Sequence, residues 1–552
     1  MSADARARRL PVLVRGALAA TATAAVAIAV ATPAYAHTEL VSATPAPQSQ
    51  QPTAPPSVVL RFSSAVEVQT EAIRVFDPAA RRVDSGASRR SAANADTVSV
   101  PLAAGLSPGI YTTTWRVVSD DGHPLEGAFT FSVGKSGRQT AATDRSISAP
   151  AGSGGLVGML LSACRWLMYG GLLVLVGGAV FLALLWQPGW ADRRAAAVVT
   201  GSWLAAVLGT IGGLLLQGPN ATGRTVGASF DWALQRDVLT SRYGVVGLSR
   251  LALLAVAGCL VLARRRRVLP APGEWLAAAI GLALLVTPTL TSHAAAAERE
   301  VFAVAVDVAH LCALAVWLGG LAMLGVAALR SDSVDPTVVA GFSRLAFACV
   351  AGVAVTGAVQ SWREVGSLSA LTNTRYGSLL MAKVAVFVAL LGAAAVSRRW
   401  VQRRLPSNAT AAALRRSVGA EIVLAAVVLL VATMLTAAPP ARTAYAAPFR
   451  DELHVASLDV AIEVRPAKAG PVTLDVRTTG AGGAEVAVTF VTIDLRLPAH
   501  DIGPLRVRLQ RISESHYRAS DVDLPLPGRW QLDAEIFVGS GKSRTSSSFD
   551  VS

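Results

Sequence analysis

Between residues 156 and 438 the chain is a near-continuous series of apolar runs, each about twenty residues long. Few folds can hold such a sequence. About 20 residues of α-helix cover the ~30 Å hydrocarbon layer of a bilayer, and a helix satisfies its own backbone polar groups. Eight runs qualify, at about 157–185, 195–217, 243–263, 275–292, 301–329, 339–361, 377–397 and 418–438. The whole chain agrees with this: 52% of its 552 residues are hydrophobic and 16% charged, against about 25% charged in ordinary soluble domains. The expected class is mixed and multidomain, with an all-α domain of eight transmembrane helices at 156–438.

The net charge of +14 does not point to nucleic acid. The arginines fall in short clusters between apolar runs, such as Arg264 to Arg267 and Arg398, Arg399, Arg403 and Arg404. With the N-terminal domain outside, the inner loops hold thirteen of them and the outer loops six. That bias sets orientation. Eight spans also return the chain to the outside. No groove-reading residues accompany the charges. The chain has no phosphate-cradling Gly-rich Lys loop and no Ser-His-Asp arrangement, which disfavours an ATP-driven pump or any other enzyme. Cys164, Cys259, Cys312 and Cys349 all lie in apolar runs, so no disulfide framework is expected.

Residues 1–36 read as a secretory signal. Arg6, Arg8, Arg9 and Arg15 precede an Ala/Val-rich stretch, and Ala34-Tyr35-Ala36 is a cleavage site. Cleavage there makes His37 the first residue. Its α-amine, with a pKa of about 8, and its imidazole then chelate a metal together. Nitrogen-rich tetragonal sites suit Cu(II).

Residues 37–133 alternate with period two between turn residues, the pattern of an all-β sandwich. Within it, Asp121 and His123 are two apart and share a face of an extended chain. Together with His37 they supply three nitrogens and an oxygen. Alone, an Asp-Gly-His is ordinarily a solvated turn; the second histidine at the mature N-terminus is what raises it. Residues 134–155 form a Gly/Ser-rich linker. Residues 440–552 alternate again and predict a second small β-sandwich. Its His454, His500 and His516 lack chelating spacing and read as solvated surface groups.

Ionisable groups inside spans are costly and default to function. His293 ends the fourth run on the outer side, and Asp307 and His310 sit in the outer half of the fifth, one helix turn apart. The three make a ladder of metal ligands descending from outside. The plainer reading is that Asp307 and His310 bond each other. Cys164 and Met168 are a soft pair at i,i+4, for which packing is the commoner role. Lys383 and Glu421 are further intramembrane charges, whose plain reading is a structural pair.

Two resemblances follow. His37-Thr38-Glu39-Leu40, Ser42-x-Thr44-Pro45, Leu60-Arg61-Phe62-Ser63 and Gly109-x-Tyr111-x-x-x-Trp115-Arg116-Val117-Val118-Ser119-x-Asp121-Gly122-His123-Pro124 resemble the CopC family of secreted copper-binding proteins. That likeness implies a cupredoxin-like sandwich binding Cu(II) through His37, Asp121 and His123. Residues 37–150 contain no Met, so a thioether Cu(I) site is not expected there. In the membrane region, Ser292-His293-Ala294, Asp307-x-x-His310-x-x-Ala313-x-x-x-Trp317-x-Gly319-Gly320, Phe342-Ser343-Arg344-x-Ala346 and Thr374-x-Tyr376-Gly377-x-x-Leu380-x-x-Lys383 are similar to the CopD family of membrane copper proteins. This implies copper movement across the cytoplasmic membrane. Residues 440–552 are similar to the YtkA-like outer domains of some CopC–CopD fusions.

The leading expectation is a multi-pass protein of the bacterial cytoplasmic membrane, both flanking domains outside. It takes Cu(II) outside and passes copper into or across the membrane through His293, Asp307 and His310. The alternatives are a haem or copper electron-transfer protein, and a non-transporting factor that delivers copper to an oxidase. Copper and lipid are the expected partners. Protein partners, transport direction, driving force and the copper oxidation state in the membrane stay open.

Overall fold

The computed structural model describes residues 38–551 apart from 39, 69–70, 120–123, 135–154, 267–272, 292–299, 331–335, 404–407, 456–457, 481–482, 501 and 539–540. It divides into a strand-rich unit and a helical unit.

In the strand-rich unit, the first sandwich is built from β1 (Leu40–Thr44), β2 (Gln50–Gln51), β3 (Ser57–Phe62), β4 (Val66–Glu67), β5 (Ile73–Phe76), β6 (Arg89–Arg90), β7 (Thr97–Pro101), β8 (Gly109–Ser119) and β9 (Pro124–Val133). One sheet runs β1-β3-β7-β6; the other runs β2-β9-β8-β4, with β5 also on β8. Alternate residues such as Val58, Leu60 and Phe62 of β3 face Ile73, Val75 and Phe131 across a shared core. The longest ladder is the β8/β9 hairpin, in register from Gly109↔Val133 to Val118↔Pro124.

The later strands, β10 (Phe449–Val455), β11 (Leu458–Arg465), β12 (Gly470–Gly480), β13 (Phe490–Leu497), β14 (Ile502–Val507), β15 (Gln510–Arg511), β16 (His516–Leu524), β17 (Gly528–Val538) and β18 (Gly541–Val551), form two further sheets. Their orders are β10-β11-β12-β16-β15 and β14-β13-β17-β18, around a core that includes Trp530, Leu474 and Ile493. This is the expected second β-rich domain.

One expectation there is corrected. His516 is not a solvated group. Its Nε2 lies 2.6 Å from Asp475 Oδ1, and Arg518 and Arg465 each donate to the same carboxylate at 2.7 Å. The cause is register: β12 and β16 pair Asp475 with Arg518 and Arg477 with His516, and cross-strand neighbours meet. Burial raises the Asp475 carboxyl, but these hydrogen bonds outweigh it and hold it down to about 2.

The helical unit contains α1 (Leu156–Leu184), α2 (Arg193–Thr222), α3 (Trp232–Thr240), α4 (Arg242–Arg265), α5 (Gly273–Val286), α6 (Glu300–Leu314), α7 (Gly320–Val326), α8 (Pro336–Val365), α9 (Leu368–Asn373), α10 (Arg375–Arg403) and α11 (Asn408–Thr436). Among the described residues, seven helical segments are long and apolar enough to cross a bilayer, where the sequence predicts eight. The fourth segment, Trp275–Thr291, is shorter. Pro288 explains this: it has no N–H to donate and its ring clashes with the preceding turn. α5 stops at Val286, and among the described residues before α6 a single 3₁₀ turn, Thr289–Thr291, follows. The fifth run is one continuous segment, Val301–Val326, but a π-helical turn at Ala315–Gly319 joins α6 to α7.

α1 is the pivot of the packing. A methyl on Gly177 would sit 1.6 Å from the Ala315 carbonyl oxygen, so the π turn rests directly on α1 backbone. Small residues permit such approach between membrane helices. Of the soft pair on α1, Met168 Sδ accepts from Arg250 Nη1 at 2.8 Å, and Cys164 Sγ lies against Gly212 of α2. On the outside, apolar side chains such as Leu208, Val388 and Val423 are exposed, as surfaces covered by lipid are.

Candidate functional site

α6, α8, α10 and α11 surround a cavity of about 560 Å³ inside the helical unit. Most of its wall is apolar, including Trp317 and Phe387, whose rings meet edge to face at 6.1 Å. Pro288 and Thr289 also line it, so the chain just past the end of the shortened α5 borders the cavity. Irregular backbone at membrane depth is tolerated where it lines a cavity, and π turns recur at functional sites.

The polar groups of the wall form rungs. α8 contributes Gln360 and Glu364 to the wall; Thr356, four residues before Gln360 and so on the same face, is buried. Thr356 meets His310, and Gln360 Nε2 donates to Asp307 Oδ1 at 2.9 Å. Thus Asp307 and His310 each engage α8, and the plain reading in which they serve only each other does not describe them. Glu364 is one helix turn further along α8, and its buried Oε2 has no hydrogen-bond partner among the described residues.

The tautomer of His310 follows from hydroxyl arithmetic. Thr356 Oγ1 donates its one proton to the Gly352 carbonyl at 2.6 Å. The 2.7 Å contact between His310 Nδ1 and Thr356 Oγ1 must then be an Nδ1–H donating to the hydroxyl oxygen. Neutral His310 therefore keeps a lone pair on Nε2, the form in which imidazole ligates metals, with the other nitrogen oriented by a second residue. The ring is buried, 7% exposed.

Lys383 of α10 also lines the cavity, as Asp307 and His310 do. Glu421 is buried but does not line the cavity. Sequence reasoning missed Thr356, Gln360 and Glu364. Their spacing of four was legible, but Thr and Gln in an apolar run give no sign of their partner until α6 and α8 are docked.

Of the other anticipated ligands, His37, Asp121, His123 and His293 lie outside the described residues. Their neighbours are described. Thr38 is buried, and its hydroxyl meets Ser64 at 2.5 Å. Two residues on, Val66 pairs with Ser119, the last residue of β8. The chain beside His37 and the chain leading to Asp121 are thus held at one end of the sandwich. Among the described residues no group of three or more His, Cys, Asp or Glu side chains has the geometry of a metal site.

Three family models match the chain. Residues 40–134 match the CopC domain, 156–301 the copper resistance protein D-like N-terminal domain, and 336–435 copper resistance protein D. Asp307 and His310 fall between the two membrane matches. The copper transport protein CutJ of Bacillus subtilis is 27% identical over 471 residues, which is 82% of this chain and 83% of that protein. Protein YobA of Escherichia coli K12 is 36% identical over 99 residues, 18% of this chain and 80% of that protein. The solved structure of CopC from Methylosinus trichosporium OB3b is 31% identical, covering 18% of this chain and 93% of that one, with a TM-score of 0.17. With an N-terminal β-sandwich, a membrane domain of apolar helices and matches to both modules in one polypeptide, the chain belongs to the CopC–CopD family of copper resistance and transport proteins.

Proposed function

We propose that this protein binds Cu(II) on the outer side of the cytoplasmic membrane, through His37, Asp121 and His123, and passes copper inward through the cavity of its helical domain. The observation that carries the second step is the cavity itself. It joins a carboxylate, Asp307, to an imidazole whose Nε2 lone pair is free, inside a wall that is otherwise apolar. An ion leaving water needs such replacement ligands at membrane depth. His293, at the end of the fourth segment, is the entry ligand in this reading. The first step is supported by the common position of the chain segments beside His37 and Asp121. Tethering capture and passage in one chain raises the effective copper concentration at the cavity mouth. A relative bearing the name copper transport protein over most of this chain's length supports transport over mere delivery.

The test is copper accumulation in proteoliposomes holding the full chain with a native His37 terminus. Uptake should fall at least tenfold with His310→Ala. It should fall at low external copper alone when one residue is added ahead of His37. Wild-type accumulation no faster than protein-free vesicles would sink transport. A Soret band in the purified protein would redirect the reading to electron transfer.

A further inference from the structure

One apolar side chain belongs to two cores. Leu40 of β1 packs against the core of the first sandwich and also against the core of the second β-domain. Among the described residues no other hydrophobic side chain lies against both. Its place in the sheet permits this. β1 is an edge strand, with β3 on one side only. Leu40 pairs with Phe62 of the first core, and the register slips between Leu40 and Ser42. A strand bends at such a bulge and re-aims its side chains. Two residues earlier, Thr38 is 5% exposed and its hydroxyl meets Ser64. Chain ends ordinarily fray unless something ties them down, and here two ties follow directly on His37 in the sequence. Three residues of chain hold His37 within about 11 Å of Leu40, whatever conformation joins them.

Resting on the reading of His37 as a copper ligand, we propose that the second β-domain is a clasp for the amino-terminal strand. It holds the Leu40 side chain, keeps the mature terminus ordered for copper, and is itself steadied when copper binds. The physical reason is preorganisation. A ligand set built on a chain end must order that end when the ion arrives, and this cost weakens binding. A strand already seated between two cores has lost that freedom beforehand. The coupling runs both ways by thermodynamic necessity: if the seated strand favours copper, copper favours the seated strand. Leu40 is in this sense a positioning residue and not a ligand, since its side chain has no lone pair to give. The second β-domain, which no copper ligand proposed for this chain occupies, thereby gains a part in copper capture.

The experiment uses the full chain in detergent with a native His37 terminus. Backbone hydrogen exchange of the peptides covering β10 to β18 is followed by mass spectrometry, with and without Cu(II). Cu(II) affinity is read by competition with a chromophoric chelator. In wild type, stoichiometric Cu(II) should slow exchange in the second β-domain at least threefold. A chain with one residue added ahead of His37 should lose that response, which separates it from copper bound elsewhere. Leu40→Ala should speed copper-free exchange in the second β-domain, remove its response to Cu(II), and weaken Cu(II) binding about tenfold. Leu40→Met, which keeps an apolar side chain of similar size, should behave as wild type. Val41→Ala, at the exposed neighbouring position, should do so too. A Leu40→Ala protein that elutes as a single folded species, yet speeds exchange in the first sandwich alone, overturns the clasp. So does a wild-type protein that binds Cu(II) at its native terminus while exchange in the second β-domain stays unchanged. If native and extended termini bind Cu(II) equally, the capture reading of His37 has failed instead, and the clasp's part in copper binding falls with it.

Discussion

At His310 a single hydroxyl decides which ring nitrogen is free. Thr356 gives its proton to Gly352 and so receives one from Nδ1. Replacing it with the near-isosteric valine removes the acceptor but keeps the volume. Thr356→Val is expected to weaken copper binding by the membrane domain about 10–100-fold, the usual effect of losing the residue that orients a ligand. Chelator competition in the His123→Ala background would read it; unchanged affinity would mean that Thr356 does not set the tautomer. Asp475 carries a separate residue-scale prediction. Its folded-state pKa is held to about 2, below the ordinary value of about 3.9. The stabilisation is therefore complete above about pH 4 and is lost as pH falls toward 2. Its size is about 2 kcal/mol. Urea unfolding of the second β-domain, followed by the fluorine resonance of 5-fluorotryptophan at Trp530, should show wild type above Asp475→Asn at pH 5 and the two converging by pH 2. The sequence held both stories only in part. His310 was legible as a charge-bearing residue in a span. Its orienting partner was not, because 46 residues separate them and only helix docking joins them.

Among the elements, α1 shows how much of the helical domain depends on absent side chains. Gly177 faces the Ala315 carbonyl with no room for a methyl, whereas a methyl added to Gly201 on α2 would meet nothing within 4 Å. Gly177→Ala should therefore lower the melting temperature of the detergent-solubilised protein by several degrees, consistent with the 1–3 kcal/mol typical of overpacking. Gly201→Ala should leave it equal or slightly higher, since alanine favours helix by up to about 1 kcal/mol. Equal melting temperatures for the two variants would refute the close approach of the π turn to α1. Apolar periodicity locates these helices to within a few residues, because membrane spans are long and their composition is extreme. It does not reveal the π turn, since Ala315 to Gly319 look no different from their neighbours. The fourth run reads as full length because its apolar content masks the helix-stopping effect of Pro288.

Across the whole molecule, the two β-domains and the helical domain were legible from composition and alternation, and the family matches fall on the first β-domain and the helical domain. What the sequence left hidden is what lies between elements: the rungs joining α6 to α8, and the carboxylate shared by His516, Arg518 and Arg465. The short α5 has a consequence beyond the cavity it borders. Among the described residues it runs for 14 residues, a rise of about 21 Å, roughly 9 Å less than a typical hydrocarbon layer. Trp275, Leu276 and Leu282 on it are exposed whereas Leu284, Leu285 and Thr287 are buried, so lipid tails meet the part of it nearer Trp275. Acyl chains beside it have to compress, at a cost that grows with their length. Uptake reconstituted in phosphatidylcholines of increasing chain length should therefore decline from 14 toward about 22 carbons, and a rate indifferent to chain length would show that neighbouring segments shield α5. On this view bilayer thickness is a control variable for the protein, and a cell that remodels its fatty acids alters copper handling without altering the protein's abundance.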